Sequence, residues 1–161
     1  MLLDLKNAPI PEVGAPAPDF TLRSANGHDV TLSSYRNKRP VLLAFFPLAF
    51  TSTCTAEMCA FNDDFDVFAA TGVEILPISV DSTASLREYR AKYNLGVDLL
   101  SDFRRSVSAA YGVLLEDRFY SKRAYFLIDV NGIVRWAHVE NQTKDRRDNA
   151  EILRRIHELG G

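Results

Sequence analysis

An uninterrupted apolar run, PVLLAFF at positions 40–46, constrains the fold of this chain most strongly. A run of that length without polar interruption is typical of a central strand that is covered on both faces. A helix is predicted next, over 53–70, because apolar residues recur there at helical spacing: Met58, Phe61, Phe65 and Phe68. Gly72 marks its end, and VEILPISVD at 73–81 predicts a second buried strand. The chain therefore predicts a right-handed βαβ unit with parallel strands.

The rest of the chain adds two hairpins and further helices to this unit. Asn-Gly pairs at 26–27 and 131–132 each lie between alternating apolar residues, the pattern of a tight β-hairpin. Two further helix starts are predicted from polar residues that favour this position. One is at Ser82 or Thr83, and the other is at Asp102. A short strand is expected at 97–100, and residues 145–159 have the pattern of a closing amphipathic helix.

These elements predict one domain spanning residues 1–161, of the α/β class. We expect a central mixed β-sheet flanked by helices, with a β-hairpin at the N-terminal side. Pro77 inside the second strand predicts that this strand lies at an edge or carries a bulge, since proline cannot donate to a sheet. In sheets of this kind sites form at the carboxyl ends of the strands, which is where the first strand passes into its helix.

Composition and charge exclude several classes of function. The formal net charge is −2, and the basic residues at 144–155 alternate with acidic ones, as on a solvated, ion-paired helix face. We therefore expect no nucleic-acid partner and no membrane partner. The longest apolar run is interrupted by Pro47, and the first residues lack the pattern of a secretory leader. A cytoplasmic location is the expectation.

The chain has two cysteines, Cys54 and Cys59. Thiols in the cytoplasm are kept reduced, so a reactive, metal-binding or simply buried thiol is favoured over a permanent disulfide. Metal binding is the weakest of these, because the C-x4-C pair has no second pair of ligands nearby and the histidines are scattered. We expect neither a metal nor a cofactor.

Cys54 lies in the first turn of its predicted helix, where unpaired N–H groups and the positive end of the helix dipole favour a thiolate. Thr51 and Ser52 just before it carry hydroxyls that can cap the helix or donate to a thiolate, and Pro47 and Phe50 offer a rigid apolar wall. The alternative is that Cys54 is a small buried apolar residue, as most free cysteines are.

Cys59 is predicted to point away from Cys54. Five helical residues correspond to about 500° of rotation and roughly 8 to 9 Å between Cα atoms, beyond the ~7 Å that a disulfide allows. A bond between the two cysteines therefore requires the first helical turn to unwind. The spacing is either evidence against that bond or a sign of a conformational switch, and space filling within the helix is the alternative role for Cys59.

Pro47, Thr51 and Cys54 match the P-x3-T-x2-C signature of the peroxiredoxins, which are thiol peroxidases with a thioredoxin-like core. The resemblance extends along the chain in order: residues 17–47 resemble the opening hairpin and central strand, and 123–129, RAYFLID, resemble the arginine-containing strand. It implies a thioredoxin-like fold. Thioredoxins typically have a proline at the start of that last strand, and its absence here favours a peroxidase over a dithiol oxidoreductase.

The resemblance implies a role for each matching residue in reducing hydrogen peroxide and small organic hydroperoxides. Cys54 would be the peroxidatic nucleophile that becomes a sulfenic acid, and Thr51 would hydrogen-bond to thiolate and peroxide. Pro47 would shield the sulfur, and Arg123 would stabilise the thiolate and polarise the bound peroxide. Glu57, three residues after the cysteine, resembles the AhpE-type branch and would be a hydrogen-bonding residue of the site.

The recycling of the oxidised cysteine stays open between two routes. The position of Cys59 resembles that of the resolving cysteine in the bacterioferritin-comigratory (PrxQ) branch, which implies an intramolecular disulfide reduced by a thioredoxin-like partner. In the other route an external low-molecular-weight thiol or a redoxin attacks Cys54 directly, and Cys59 is a bystander. We favour the first route, because a second thiol at that spacing would otherwise be a coincidence.

Two rival functions and one assembly are also considered. A redox-sensing module with this fold would react slowly with peroxide and bind a protein target tightly. A thiol–disulfide oxidoreductase is disfavoured by the lack of a C-x-x-C motif. The resemblance further implies a homodimer that pairs through loops near the active site, including residues 46–50.

Overall fold

The computed structural model describes residues 5–160, which contain nine strands and five α-helices. The strands are β1 (Thr21–Ser24), β2 (Asp29–Thr31), β3 (Val41–Phe45), β4 (Glu74–Ser79), β5 (Leu100–Ser101), β6 (Leu114–Leu115), β7 (Tyr120–Ser121), β8 (Ala124–Ile128) and β9 (Val134–Val139). The helices are α1 (Ser52–Asp63), α2 (Phe65–Ala70), α3 (Thr83–Tyr93), α4 (Ser106–Ala110) and α5 (Asn149–His157). Within this part of the chain no helix is long and apolar enough to cross a membrane.

Seven of these strands form one mixed sheet in the order β2-β1-β5-β4-β3-β8-β9. Strands β3 and β4 are parallel, and β4 is parallel to β5, whereas β8 and β9 run antiparallel to their neighbours. All five residues of β3 are buried, as its apolar run predicted. The parallel β3–α1–α2–β4 connection is the predicted βαβ unit, and the α/β, thioredoxin-like fold class is confirmed.

Both predicted hairpins are present. Strands β1 and β2 pair around Asn26-Gly27, with Leu22 opposite Val30. Strands β8 and β9 pair around Asn131-Gly132, where Gly132 has a φ of +81° that favours glycine.

The long helix predicted over 53–70 is wrong in one respect, because it breaks at Asp64 into α1 and α2. At the break, the Asn149 side-chain amide, from far along the chain, donates to the Ala60 carbonyl at 2.9 Å and to Asp64 Oδ2 at 2.8 Å. A polar contact between residues so far apart in the chain leaves no local pattern in the sequence.

The prediction that Pro77 marks an edge strand or a bulge is also wrong, because the strand as a whole is not at an edge. Strand β4 is interior, and Pro77 pairs with Ala44 of β3. Pairing with β5 on the other side begins only at Ile78, so the missing N–H of proline falls where β4 has one neighbour. The strand predicted at 97–100 is shorter than expected and begins later in the chain, at Leu100–Ser101.

The sheet separates two apolar cores, and the alternation of β3 shows the division. Leu42 and Ala44 face the core that α1, α3 and α5 cover, whereas Val41, Leu43 and Phe45 face the other core. Cys54 belongs to the first core. The site is therefore built on the face of the sheet that packs against α1.

Candidate active site

The site begins where the chain leaves β3 and enters α1. Two contacts fix this connection: the Ala49 N–H donates to Asp81 Oδ2 at 2.8 Å, and Ser79 donates to the same oxygen at 2.7 Å. Phe50 follows with a φ of +67°, a left-handed conformation that is uncommon for a bulky residue. The loop is thus tied to the end of β4, and it delivers the start of α1 to the carboxyl edge of the sheet.

Cys54 lies in the first turn of α1, as predicted. The Thr55 N–H makes the first helical bond, to the Thr51 carbonyl at 2.9 Å, so the N–H groups of residues 52–54 precede the hydrogen-bonded ladder. The positive end of the helix dipole is therefore close to the sulfur. Cys54 is nonetheless 1% exposed, and it belongs to the apolar core on this face of the sheet.

A pocket of about 190 Å³ opens onto the sulfur. Its lining contains four of the sequence-predicted site residues, Pro47, Thr51, Cys54 and Arg123. The remaining lining residues are Leu48, Ser52, Thr53, Tyr120, Thr143 and Lys144. This volume is below the roughly 300–1,000 Å³ that is typical of ligand pockets, so the pocket suits a small molecule.

Arg123 is the cationic centre of the site. Its Nη2 donates to Cys54 Sγ at 3.0 Å and to the Thr143 carbonyl at 3.1 Å, while Nη1 donates to Glu57 Oε1 at 2.8 Å. Burial by itself would lower the pKa of Arg123, but the charges of Glu57 and Cys54 raise it above its ordinary value. The guanidinium is therefore a permanent cation at the sulfur.

Glu57 lies beneath the pocket rather than in its lining. It is 1% exposed and forms a buried ion pair with Arg123, and Tyr125 donates to its second oxygen. Burial raises the pKa of the Glu57 carboxyl, while Arg123 and then Tyr125 oppose the shift. Breaking a buried pair of this kind by removing one partner is strongly destabilising, because a buried charge is left without compensation.

Thr51 occupies the N-cap position of α1, but its side chain does not cap the helix. Its hydroxyl donates to the Leu48 carbonyl at 2.8 Å instead of to the sulfur. Since the single proton of Thr51 is used there, the hydroxyl oxygen can present only its lone pairs to a molecule in the pocket.

Cys59 does not join the pocket. It is half-buried on α1 and packs against the apolar core that contains Met58 and Phe61. Both cysteines are free thiols, and both lie inside the 12-residue helix α1, so the separation expected for five helical residues applies.

Sequence reasoning missed two residues of the hydrogen-bond network around Arg123 and Glu57, namely Tyr125 and Thr143. Arg123 lies immediately before β8 and Tyr125 is the second residue of that strand, and in extended chain residues two apart face the same side, so a signal was present. Thr143 contributes only its backbone carbonyl, for which the sequence carries no signal.

Comparison with known proteins gives consistent matches along the chain. The model of the AhpC/TSA family matches residues 13–137. Alkyl hydroperoxide reductase E of Mycobacterium tuberculosis is 40% identical over 139 residues, which cover 84% of this chain and 91% of that protein. A chloroplastic peroxiredoxin Q of Oryza sativa subsp. japonica is 36% identical over 148 residues, covering 91% of this chain and 67% of its own.

The chain belongs to the AhpC/TSA family and is a peroxiredoxin. As a peroxiredoxin it is a thiol-dependent peroxidase. Solved structures agree with this assignment. The reduced 2-Cys peroxiredoxin of Plasmodium vivax has a TM-score of 0.85 and 37% identity, covering 92% of this chain and 81% of that one. Peroxidoxin BcpB of M. tuberculosis has a TM-score of 0.80 and 29% identity, and the match covers 93% of this chain and 97% of that one.

Proposed function

We propose that Cys54 is the nucleophile of this peroxidase and that it reduces hydrogen peroxide and small organic hydroperoxides. The observation that carries the proposal is the 3.0 Å contact between Arg123 Nη2 and Cys54 Sγ. Both groups are buried, so the cation acts on the sulfur with little screening by water. Thiolate is the form of cysteine that attacks peroxides, and a fixed cation favours it.

The oxidation step transfers one oxygen to the sulfur. The Cys54 thiolate attacks the terminal oxygen of the hydroperoxide, so that an S–O bond forms while the O–O bond breaks. The sulfur is oxidised by two electrons to a sulfenic acid, and the leaving alkoxide or hydroxide takes a proton to become alcohol or water.

Donors and acceptors around the pocket suit that step. Negative charge moves from the sulfur to the leaving oxygen, and the Arg123 guanidinium is placed to stabilise it in both positions. Thr51 accepts the O–H of the hydroperoxide, which orients the terminal oxygen toward the sulfur. Pro47 closes one wall of the pocket and limits the access of water.

For recycling we propose that Cys59 attacks the Cys54 sulfenic acid, which releases water and forms an intramolecular disulfide. The disulfide is then reduced by two thiols of a thioredoxin-like partner. Because both cysteines lie within α1, the first turns of this helix unwind before the bond forms. In the alternative route a low-molecular-weight thiol or a redoxin reduces the sulfenic acid directly.

Replacing the second cysteine tests the recycling route. In a Cys59→Ser variant we expect the first oxidation of Cys54 at the wild-type rate, while turnover with a thioredoxin system falls at least tenfold. Unchanged turnover would remove Cys59 from the cycle and favour the external thiol. Wild-type protein assayed with a low-molecular-weight thiol provides the control.

We also propose that the protein works as a cytoplasmic homodimer that pairs through the loop at 46–50. Phe50 is 48% exposed and packs edge-on against Tyr89, which gives an apolar surface beside the pocket. Sedimentation at micromolar concentration is the test, since a single monomeric species would contradict the dimer.

A further inference from the structure

A buried tyrosine, Tyr125, extends the active-site network beyond Glu57. Its side chain is fully buried on β8, and its hydroxyl donates to Glu57 Oε2. The backbone N–H of Arg147 donates to the same hydroxyl at 3.0 Å. A backbone N–H can only donate and a phenol has one proton, so the Tyr125 proton is directed at the Glu57 carboxylate.

Tyr125 remains a donor over the working range of the enzyme. Burial, and after it the neighbouring Glu57 carboxylate, raise the pKa of Tyr125 well above its ordinary value. The ring is further held by stacking on Trp136, with centroids 5.9 Å apart. The phenol is therefore both protonated and fixed in place.

Glu57 transmits this hydrogen bond to Arg123. The two carboxylate oxygens have different partners, Tyr125 on Oε2 and Arg123 on Oε1, so rotation of the carboxylate would disturb both contacts. The guanidinium is planar, and once Nη1 is held by Glu57, the direction of Nη2 toward Cys54 is set. Orientation of the cation at the sulfur thus depends on a chain of three buried side chains, together with the Thr143 carbonyl that accepts from Nη2.

We propose that Tyr125 is a positioning residue of the peroxidase reaction: it fixes the Glu57 carboxylate, which holds the Arg123 guanidinium against Cys54 and the bound hydroperoxide. The inference rests on the proposed role of Cys54. Tyr125 is not among the described residues that line the pocket, so it acts through Glu57 and not on the substrate.

The electrostatics of Glu57 give the proposal a pH signature. The groups that act on this carboxylate are Arg123, Tyr125 and, more weakly, Arg146, and all three oppose the rise in its pKa that burial causes. Cys54 lies on the far side of the guanidinium. Without the Tyr125 hydrogen bond the pKa of Glu57 rises further, so the carboxylate is lost at a higher pH. The acid limb of the peroxide reaction should then move to higher pH.

The test compares Tyr125→Phe with Tyr111→Phe. Tyr111 is an equally buried tyrosine in the opposite core, where its hydroxyl donates to the Pro18 carbonyl at 2.6 Å. For each protein two rates at Cys54 are measured by quenched-flow mass spectrometry: oxidation by hydrogen peroxide, which needs the oriented Arg123, and alkylation by iodoacetamide, which needs only the thiolate.

In Tyr125→Phe we expect the ratio of oxidation rate to alkylation rate to fall about tenfold, the effect of one lost hydrogen bond to a charged group. The acid limb of oxidation should move to higher pH, while Tyr111→Phe stays within twofold of wild type in both readouts. A general loss of packing would expose the buried Cys54 and raise its alkylation rate, whereas a loss of positioning alone should lower oxidation with the alkylation rate at or below that of the wild type.

A double-mutant cycle tests whether Tyr125 acts through Glu57. Glu57→Gln should lower the same ratio at least as much, and adding Tyr125→Phe to it should lower the ratio no further. The proposal is overturned if Tyr125→Phe keeps the wild-type ratio or if the two losses multiply. Failure of the proposed function looks different, because the wild-type protein would then leave Cys54 unoxidised by one equivalent of peroxide.

Discussion

The two cysteines of this chain lie five residues apart on one helix, yet their surroundings have little in common. Cys54 is 1% exposed and contacts the guanidinium of Arg123, which is itself paired with Glu57. Cys59 is half-buried and packs against the apolar core. Five residues rotate the side chain by about 500°, which turns Cys59 away from Arg123. The chemistry of each thiol is therefore set by the residues that pack against its side of the helix.

The largest expected effect comes from exchanging the two sulfurs for oxygen in turn. Cys54→Ser should abolish consumption of hydrogen peroxide, because a hydroxyl is not deprotonated at neutral pH and is a poor nucleophile. Cys59→Ser should leave the first oxidation within twofold of wild type. Stopped-flow fluorescence of Trp136, the single tryptophan, follows both variants. Rapid oxidation of the Cys54→Ser protein would reverse the assignment of the two thiols.

Removing the cation tests whether Arg123 makes the difference between the cysteines. Arg123→Met should slow oxidation of Cys54 by about 10²- to 10³-fold, the range seen when a preorganised donor to developing charge is lost. Arg123→Lys should recover only part of this, because lysine keeps the charge but cannot hold Glu57 and Cys54 with one planar group. Alkylation of Cys59, measured in the same samples, serves as the internal control. If Arg123→Met were as fast as wild type, the 3.0 Å contact would have no role in the reaction.

The smallest effect concerns stability around Cys59. Cys59→Ala should lower the free energy of unfolding by less than about 1 kcal/mol, since the residue is half-buried and the change in volume is small. Met58→Ala, at a neighbouring position that is fully buried, should lower it by about 2 to 5 kcal/mol. Denaturant unfolding of both variants is the measurement. A large loss for Cys59→Ala would mean that this thiol is kept for packing.

Much of this arrangement could be predicted from the sequence because its causes are local. The apolar run of β3, the Asn-Gly turns and the position of Cys54 at a helix start all follow from periodicity and turn chemistry. Arg123 and Glu57 were each expected at the site from a family resemblance and not from residue patterns, and their ion pair was not predicted. Glu57 alone would read as an exposed first-turn residue.

What could not be predicted depends on contacts between distant parts of the chain. Asn149 contacts Asp64 at the break between α1 and α2, and the Thr143 carbonyl accepts a hydrogen bond from Arg123 through the backbone alone. Tyr125 and Arg123 both contact Glu57, but the sequence does not show which helical residue lies opposite them. Such contacts form when helices and strands pack together, and local sequence patterns do not specify which residues will meet.

The most direct test of the account is the intact mass of the reduced protein after one equivalent of hydrogen peroxide, with peptide mapping. The account predicts a loss of two hydrogens and a peptide pair joined through Cys54 and Cys59. A single oxygen that stays on Cys54 would contradict the recycling route and leave an external thiol as the reductant. An unchanged mass, or oxygen on Cys59 with Cys54 still reduced, would contradict the assignment of Cys54 as the nucleophile.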